Sequence, residues 1–128
     1  MMRASLILCA LLVGAPLWAT DVPSGQVVTL QEALLDEVDA RNTLRMRFVA
    51  PAIARDGGTI DYDTAGADME HLCVHVALPY AVQFELDPDV IVISLSDRET
   101  EFGALSPEAT QFFDAFRVED QTCIWEAF

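Results

Sequence analysis

In Leu44-Arg45-Met46-Arg47-Phe48-Val49, apolar and cationic residues alternate. A period of two is typical of a β-strand that buries one face and leaves the other in water. The stretch therefore predicts a sheet with one wet face. We expect both arginines to lie opposite acidic residues of a neighbouring strand.

The segment before this strand, residues 27–36, allows two interpretations. Thr29 and Glu32 have the spacing of a capping box, which favours a helix. The paired valines at its start favour a strand instead. If the segment is a strand, residues 39–43 form the hairpin turn between the two strands.

Two helices are predicted. The first covers residues 67–78 and would end at Pro79. Its buried face would be formed by four residues at helical spacing: Met69, Leu72, Cys73 and Val76. The second would begin at Ser106-Pro107-Glu108, which combines a hydroxyl cap, a proline in the first turn and an acid near the positive end of the helix dipole. Its buried stripe would be Ala109, Phe112, Phe113 and Phe116.

Four further segments are predicted to be strands. Residues 80–86 alternate in polarity, and residues 90–96 are apolar on both faces as in a central strand. Residues 99–102 would form a short edge strand and residues 122–128 a terminal one. The predicted fold class is therefore α+β: an antiparallel sheet of about five strands with two helices packed on one face and one disulfide.

The first 19 residues have the pattern of a cleaved secretory signal peptide. Arg3 precedes an apolar run over residues 6–13, and Ala19 supplies a small residue at the expected cut. The run is too short to span a membrane. We therefore expect residues 20–128 to be a single α+β domain, periplasmic or secreted, with no stable membrane insertion after cleavage.

Signal cleavage would remove Cys9 and leave Cys73 and Cys123. Two cysteines in an oxidising compartment are usually paired, so a disulfide between them is predicted. The alternative is a pair of free thiols, one of them catalytic or bound to a metal.

Composition excludes several classes of protein. The chain has 128 residues, 21 acids against seven arginines, no lysine and a formal charge of −14. A nucleic-acid partner is not expected, because phosphate backbones are bound by clustered basic residues. At 52% hydrophobic residues, the chain is too apolar for a disordered acidic tail.

Candidates for metal or catalytic chemistry are few. His71 and His75 lie four residues apart with Glu70 adjacent, a spacing that can ligate zinc or copper. The zinc-protease pattern requires a glutamate after the first histidine, where Leu72 stands. The preferred interpretation is that the pair are two polar residues on the helix face away from the core. Asp97-Arg98-Glu99 is interpreted as a turn with a local ion pair. No catalytic residue and no cofactor are predicted.

Six aromatic residues lie in the last 27 positions of the chain. Core packing explains most of them. Trp125 and Phe128 could instead form an exposed surface for a partner, and an envelope protein is the partner we expect.

Several segments carry a family resemblance: residues 44–51, 68–73, 77–79, 93–98 with 102–103, and 122–126. Together they resemble an uncharacterised family, a domain of unknown function, of small secreted alphaproteobacterial proteins. The resemblance carries no activity, ligand or active site. The function expected from the sequence is that of a non-enzymatic binding or accessory protein of the cell envelope. The alternative is a small metal-dependent or hydrolytic periplasmic enzyme using His71 and His75.

Overall fold

The computed structural model describes residues 19–126. Within that range, six strands form one sheet in sequence order. The strands are β1 (Ala19–Thr20), β2 (Val28–Val38), β3 (Arg41–Val49), β4 (Val90–Ser96), β5 (Gln111–Glu119) and β6 (Thr122–Glu126). β3 and β4 are parallel and the other neighbours are antiparallel. The prediction of a purely antiparallel sheet is therefore wrong, because the chain crosses one face of the sheet between these two strands.

The crossing segment forms one continuous helical rod. After a 3-10 turn over Pro51–Ile53, helix α1 covers Tyr62–Leu72, a π-helical segment covers Cys73–Ala77, and α2 covers Leu78–Gln83. The side chain of Asp61 caps α1 by accepting the backbone N–H of Thr64 at 2.9 Å. This hydrogen bond lowers the pKa of Asp61. Helix formation at residues 67–78 is confirmed.

The prediction that Pro79 ends the helix is wrong. Pro79 lies in the first turn of α2, where a missing N–H is tolerated. The strand predicted for residues 80–86 is therefore also wrong. The rod ends instead after Gln83. Glu85, two residues later, has a positive φ of 56°, and the N–H of Leu86 donates to the carbonyl of Ala81 at 2.8 Å, which closes the end of the helix.

The second predicted helix is a strand. Residues 106–109 form only a turn, in which the N–H of Ala109 donates to the carbonyl of Ser106 at 3.0 Å, and the following residues form β5. Strand pairing with β4 and β6 overrides the helical spacing of the aromatic residues. Phe112 and Phe116 consequently face the helical rod, whereas Phe113 lies on the opposite face. The edge strand predicted at residues 99–102 is a loop.

The core lies between the sheet and the rod. The two parallel strands contribute the largest share, and the rod covers them; the main residues are Leu44, Met46, Phe48, Ile91, Ile93, Leu95, Ala65, Met69 and Leu72. Each large apolar side chain buried in this way contributes about 1.5–3 kcal/mol. The predicted disulfide Cys73–Cys123 is confirmed and joins the π-helical segment to β6.

Of residues 27–36, which the sequence left open, all but the first belong to strand β2. Two tight hairpins follow the same design. Asp39 and Ala40 connect β2 to β3 with φ of 53° and 64°, and Asp120 and Gln121 connect β5 to β6 with φ of 50° and 61°. Two successive positive φ angles define the turn that matches the twist of antiparallel strands.

The segment before β2 is anchored to the rod. The fully buried carboxylate of Asp68 accepts the N–H of Ser24 at 2.9 Å, the hydroxyl of Ser24 at 2.6 Å and the Nε2 of Gln26 at 2.7 Å. The segment is thus packed against the rod and is held there by hydrogen bonds. Apart from Ala19, the predicted signal segment lies outside the described residues. Among the helices that are described, none has the length and apolar character needed to cross a membrane.

Candidate functional site

The face of the sheet opposite the rod carries the candidate site. Alternation along β3 directs Leu44, Met46 and Phe48 into the core, so Arg45 and Arg47 lie on the opposite face. There the register places Arg45 beside Val92 and Arg47 beside Ser94 of β4. The predicted solvent-exposed face of the sheet is therefore present. Part of this face forms a groove that a loop covers.

A loop after β4 covers this groove. The carbonyl of Thr100 accepts Nη2 of Arg47 at 2.9 Å and Nε2 of Gln31 at 2.8 Å, while its hydroxyl lies 2.8 Å from the same Nη2. These bonds hold Phe102 so that its ring centre lies 5.6 Å from the guanidinium carbon of Arg45 and 5.4 Å from that of Arg47. Both separations suit a cation–π contact. The loop is fixed onto the arginines it covers.

The loop is closed at its base by Asp97. Its Oδ2 accepts Nη2 of Arg98 at 2.9 Å, as the predicted local ion pair requires, and its Oδ1 accepts the N–H of Thr110 at 2.7 Å. Burial raises the pKa of Asp97, but the hydrogen bonds from Arg98 and Thr110 together lower the pKa by more than burial raises it. The pKa of Asp97 therefore lies below its ordinary value. Asp97-Arg98 therefore has a structural role at the edge of the groove.

Arg45 differs from the other arginines. Five of the six arginines within residues 19–126 have hydrogen-bond partners there: Arg41, Arg47, Arg55, Arg98 and Arg117. Arg45 has neither a hydrogen bond nor an ion pair in that range, and its Nε is buried without a partner. The reason is register. Arg47 lies opposite Glu32 of β2 and pairs with it, as predicted, whereas Arg45 lies opposite Leu34.

Two adjoining cavities share Arg45. One, of about 350 Å³, has Phe102, Ser94 and Thr100 in its walls, and the other, of about 550 Å³, extends toward Arg41 and Glu126. Val92 and Phe113 line both. We call these two cavities together the Arg45 groove. Its walls combine the Arg45 guanidinium, which has no ion pair within the described residues, with apolar and aromatic surface and with the carboxylates of Glu101 and Asp39. Apolar walls with a few polar groups are the lining expected of a binding site.

The far end of the groove is closed by an ion pair. Arg41 donates to Oε1 of Glu126 at 3.0 Å and to Oε2 at 3.3 Å. These bonds lower the pKa of Glu126 and raise that of Arg41. The charge of Arg41 is thereby matched inside the protein, which leaves Arg45 as the unmatched cation in this part of the structure.

The predicted metal candidates lie elsewhere. The rings of His71 and His75 are in contact, with centres 4.3 Å apart, on the rod rather than in the groove. No group of three His, Cys, Asp or Glu side chains in the described part of the chain is placed to hold a metal ion. Trp125 is 58% exposed and lies on the rod side of β6, and Phe128 lies outside the described residues.

The groove itself is not predicted by the sequence. In the alternating pattern, Arg45 and Arg47 are equivalent, because both occupy the same face of one strand. The signal that separates them is the register of β2, which runs without a shift from the Asp39-Ala40 turn and places Leu34 opposite Arg45 and Glu32 opposite Arg47. That register depends on the folded sheet and is not visible in the alternation alone.

Comparisons with known proteins identify a family. A search of curated proteins gave no match, and a search of solved structures gave none either. A family model does match, and it covers residues 7–128. The chain belongs to this family of unknown function, DUF6497.

Proposed function

We propose that this chain is a non-enzymatic binding or accessory protein of the cell envelope, and that its Arg45 groove binds an anionic group attached to an apolar one. The observation that carries the proposal is the guanidinium of Arg45, which has no hydrogen bond or ion pair within residues 19–126, in a chain with 21 acidic residues. An arginine left without a carboxylate among so many acids is available to an external anion. A planar guanidinium can bind a carboxylate or a phosphate through two parallel hydrogen bonds.

Local charge supports this assignment. Arg47 is matched by Glu32 and Arg41 by Glu126, so each of these cations is neutralised within the protein. Glu101 and Asp39 also line the groove, and Arg45 is its one cation without an ion pair within residues 19–126. A hydrogen bond to a charged group contributes about 1.5–3 kcal/mol when it is shielded from water. The ring of Phe102 supplies this shielding on one side of the guanidinium.

The apolar walls indicate the second feature of the ligand. Phe102 and Phe113 are each 51% exposed, although both have large apolar rings, and both line the groove. Val92 forms part of the floor between them. Contact with a ligand would remove this surface from water at about 25 cal/mol for each Å². An aromatic or aliphatic carboxylate or phosphate would satisfy both the guanidinium and the walls.

Export and compartment are part of the proposal. The signal pattern over residues 1–19 supports transport out of the cytoplasm. The Cys73–Cys123 disulfide supports residence in an oxidising compartment such as the periplasm. An anionic segment of an envelope protein is the partner that this location favours.

The test is a ¹H–¹⁵N NMR titration with benzoate and phenylphosphate as anionic probes and benzamide as their neutral counterpart. We expect both anions to shift the amide signals of Arg45, Val92 and Phe102, and benzamide to leave them unchanged. Arg45→Gln should abolish the shifts. Arg117→Gln is the matched control, because Arg117 lies on the same face outside the groove and pairs with Glu119.

Equal shifts with benzamide and benzoate would overturn the proposal, as would full binding by the folded Arg45→Gln variant. The alternative function, a metal-dependent or hydrolytic enzyme using His71 and His75, makes a different prediction. It requires stoichiometric zinc or copper in the purified protein that is lost in His71→Ala.

A further inference from the structure

A separate cavity lies on the rod side of the sheet, away from the Arg45 groove. It has a volume of about 290 Å³ and is bounded by α1, β5 and β6. Tyr62, Asp63 and Glu70 of α1 line one side, and Asp114 of β5 with Trp125 of β6 lines the other. We propose that this cavity binds a small organic ammonium cation. The proposal is independent of the anion site at Arg45.

The charge of the cavity is negative and unmatched. Among the described residues, its lining holds three acids and no arginine. Asp114 is only 5% exposed, and its side chain accepts a hydrogen bond from the phenol of Tyr62 at 2.6 Å. None of the ion pairs found within residues 19–126 involves these three acids. The Asp114 carboxylate is thus bound by a phenol but by no cation in the described part of the chain, and a cationic ligand would add the opposite charge that a largely buried carboxylate favours.

Two aromatic rings make the cavity suitable for an organic cation. Tyr62 is 45% and Trp125 58% exposed, so both rings present surface to a ligand. Aromatic faces attract ammonium groups, and quaternary ammonium ligands are commonly bound between such rings. The ring of Tyr62 is held in place by its hydrogen bond to Asp114 and by an edge contact with Phe112, whose centre is 5.5 Å away.

The arrangement favours an organic cation over a metal ion. A divalent metal ion needs several ligand atoms converging at about 2.0–2.6 Å. Within the described residues, no three acidic, histidine or cysteine side chains converge in this way. An ammonium group bearing methyl or methylene carbons needs only one nearby carboxylate and apolar walls. Asp114 and the two rings provide these.

The test is isothermal titration calorimetry with choline chloride, Nα-acetyl-lysine amide and 3,3-dimethyl-1-butanol, an uncharged isostere of choline. We expect saturable binding of at least one of the two cations and none of the alcohol. Tighter binding of choline would assign the site to quaternary ammonium groups, and tighter binding of the lysine derivative to a lysine side chain of a partner.

Asp114→Asn should weaken cation binding at least about tenfold, since it removes a buried charge but keeps an oxygen that can accept from Tyr62. Asp120→Asn is the control for net charge, because Asp120 lies in the exposed β5–β6 turn. Tryptophan fluorescence should change with the cation and lose that change in Trp125→Phe. Unaltered binding by folded Asp114→Asn, equal binding of the alcohol, or displacement by calcium ahead of both cations would overturn the proposal.

Discussion

The backbone N–H of Thr110 donates to Oδ1 of Asp97 across 2.7 Å, and this bond joins the residue after β4 to the residue before β5. The loop between these two residues is the one that covers the Arg45 groove. The second oxygen of the carboxylate binds Arg98. One side chain therefore fixes both the base of the loop and the direction in which the chain leaves β4.

Asp97→Ala should destabilise the protein by about 1–3 kcal/mol, because the Thr110 N–H and the Arg98 guanidinium both lose their acceptor. The pKa of Asp97 in the folded state lies below its ordinary value of 3.8. The contribution of the Asp97 carboxylate to the free energy of unfolding is therefore complete above that value. It is lost as the pH falls through the lower, folded-state pKa. Urea unfolding at several pH values should show the difference between wild type and variant shrinking below about pH 4.

Asp87→Asn is the control for this measurement, because Asp87 is exposed in the turn before β4. It should leave stability within about 0.5 kcal/mol of wild type. A difference between wild type and Asp97→Ala that stays constant down to about pH 2 would contradict the assigned role of the carboxylate.

Removing the disulfide should be one of the most damaging changes. The bond closes a loop with a sequence separation of 50, for which chain entropy gives about 4 kcal/mol. The double variant Cys73→Ala with Cys123→Ala should lose about this amount in urea unfolding. Reducing agent should destabilise wild type by a similar amount and leave the double variant unchanged. A wild type insensitive to reductant would refute the expectation.

Two glycines should respond in opposite directions to alanine. A Cβ on Gly58 would clash with the carbonyl oxygen of Ala54 and lie 2.6 Å from that of Ala52, and neither backbone atom can move freely. Gly58→Ala should therefore cost at least about 2 kcal/mol. A Cβ on Gly66 meets nothing within 4 Å, and alanine is the better helix former. Gly66→Ala should gain about 1 kcal/mol in thermal unfolding.

The two hairpin turns should be improved by glycine. Ala40 and Gln121 have positive φ angles of 64° and 61°. This conformation is strained for any residue that has a Cβ. Ala40→Gly and Gln121→Gly should each raise the melting temperature, and their effects should add because the turns belong to different strand pairs. Thr59→Gly, in an exposed loop, should give no gain. A loss of stability in both turn variants would contradict the assigned turn geometry.

Asp68→Asn should release the segment before β2. Three donors converge on the Asp68 carboxylate, and an asparagine would bring an NH₂ group against at least one of them. Hydrogen exchange of the Ser24 amide should become much faster, with a loss of about 1–3 kcal/mol in stability. Asp56→Asn, in an exposed turn, should change neither quantity. Unchanged protection at Ser24 would show that other contacts hold the segment.

Much of the sheet could be predicted because its strongest strands carry their own pattern. Alternation at residues 44–49 and the apolar run at residues 90–96 each correspond to one strand, and paired cysteines led to the disulfide. The resemblance to a family of unknown function was also confirmed. These features depend on local pattern or on residue count, which a single sequence displays directly.

Two elements could not be predicted because distant contacts decide them. Phe112, Phe113 and Phe116 have helical spacing, but pairing of their segment with β4 and β6 makes it a strand. A proline usually ends a helix, yet here the rod continues past Pro79, which follows a π-helical segment. The unpaired state of Arg45 is of the same kind, since it follows from the register of β2.

The parallel pairing of β3 with β4 also has a consequence for the order in which the molecule assembles. The β2–β3 and β5–β6 hairpins each join neighbouring segments and can form within microseconds. β3 can gain its second partner only after the whole rod has crossed the sheet, which makes this contact the slower one. Until then, Met46 and Phe48 remain exposed beside an open strand edge. A newly synthesised chain is thus most prone to self-association during that interval, which is also when a chaperone would protect it most effectively.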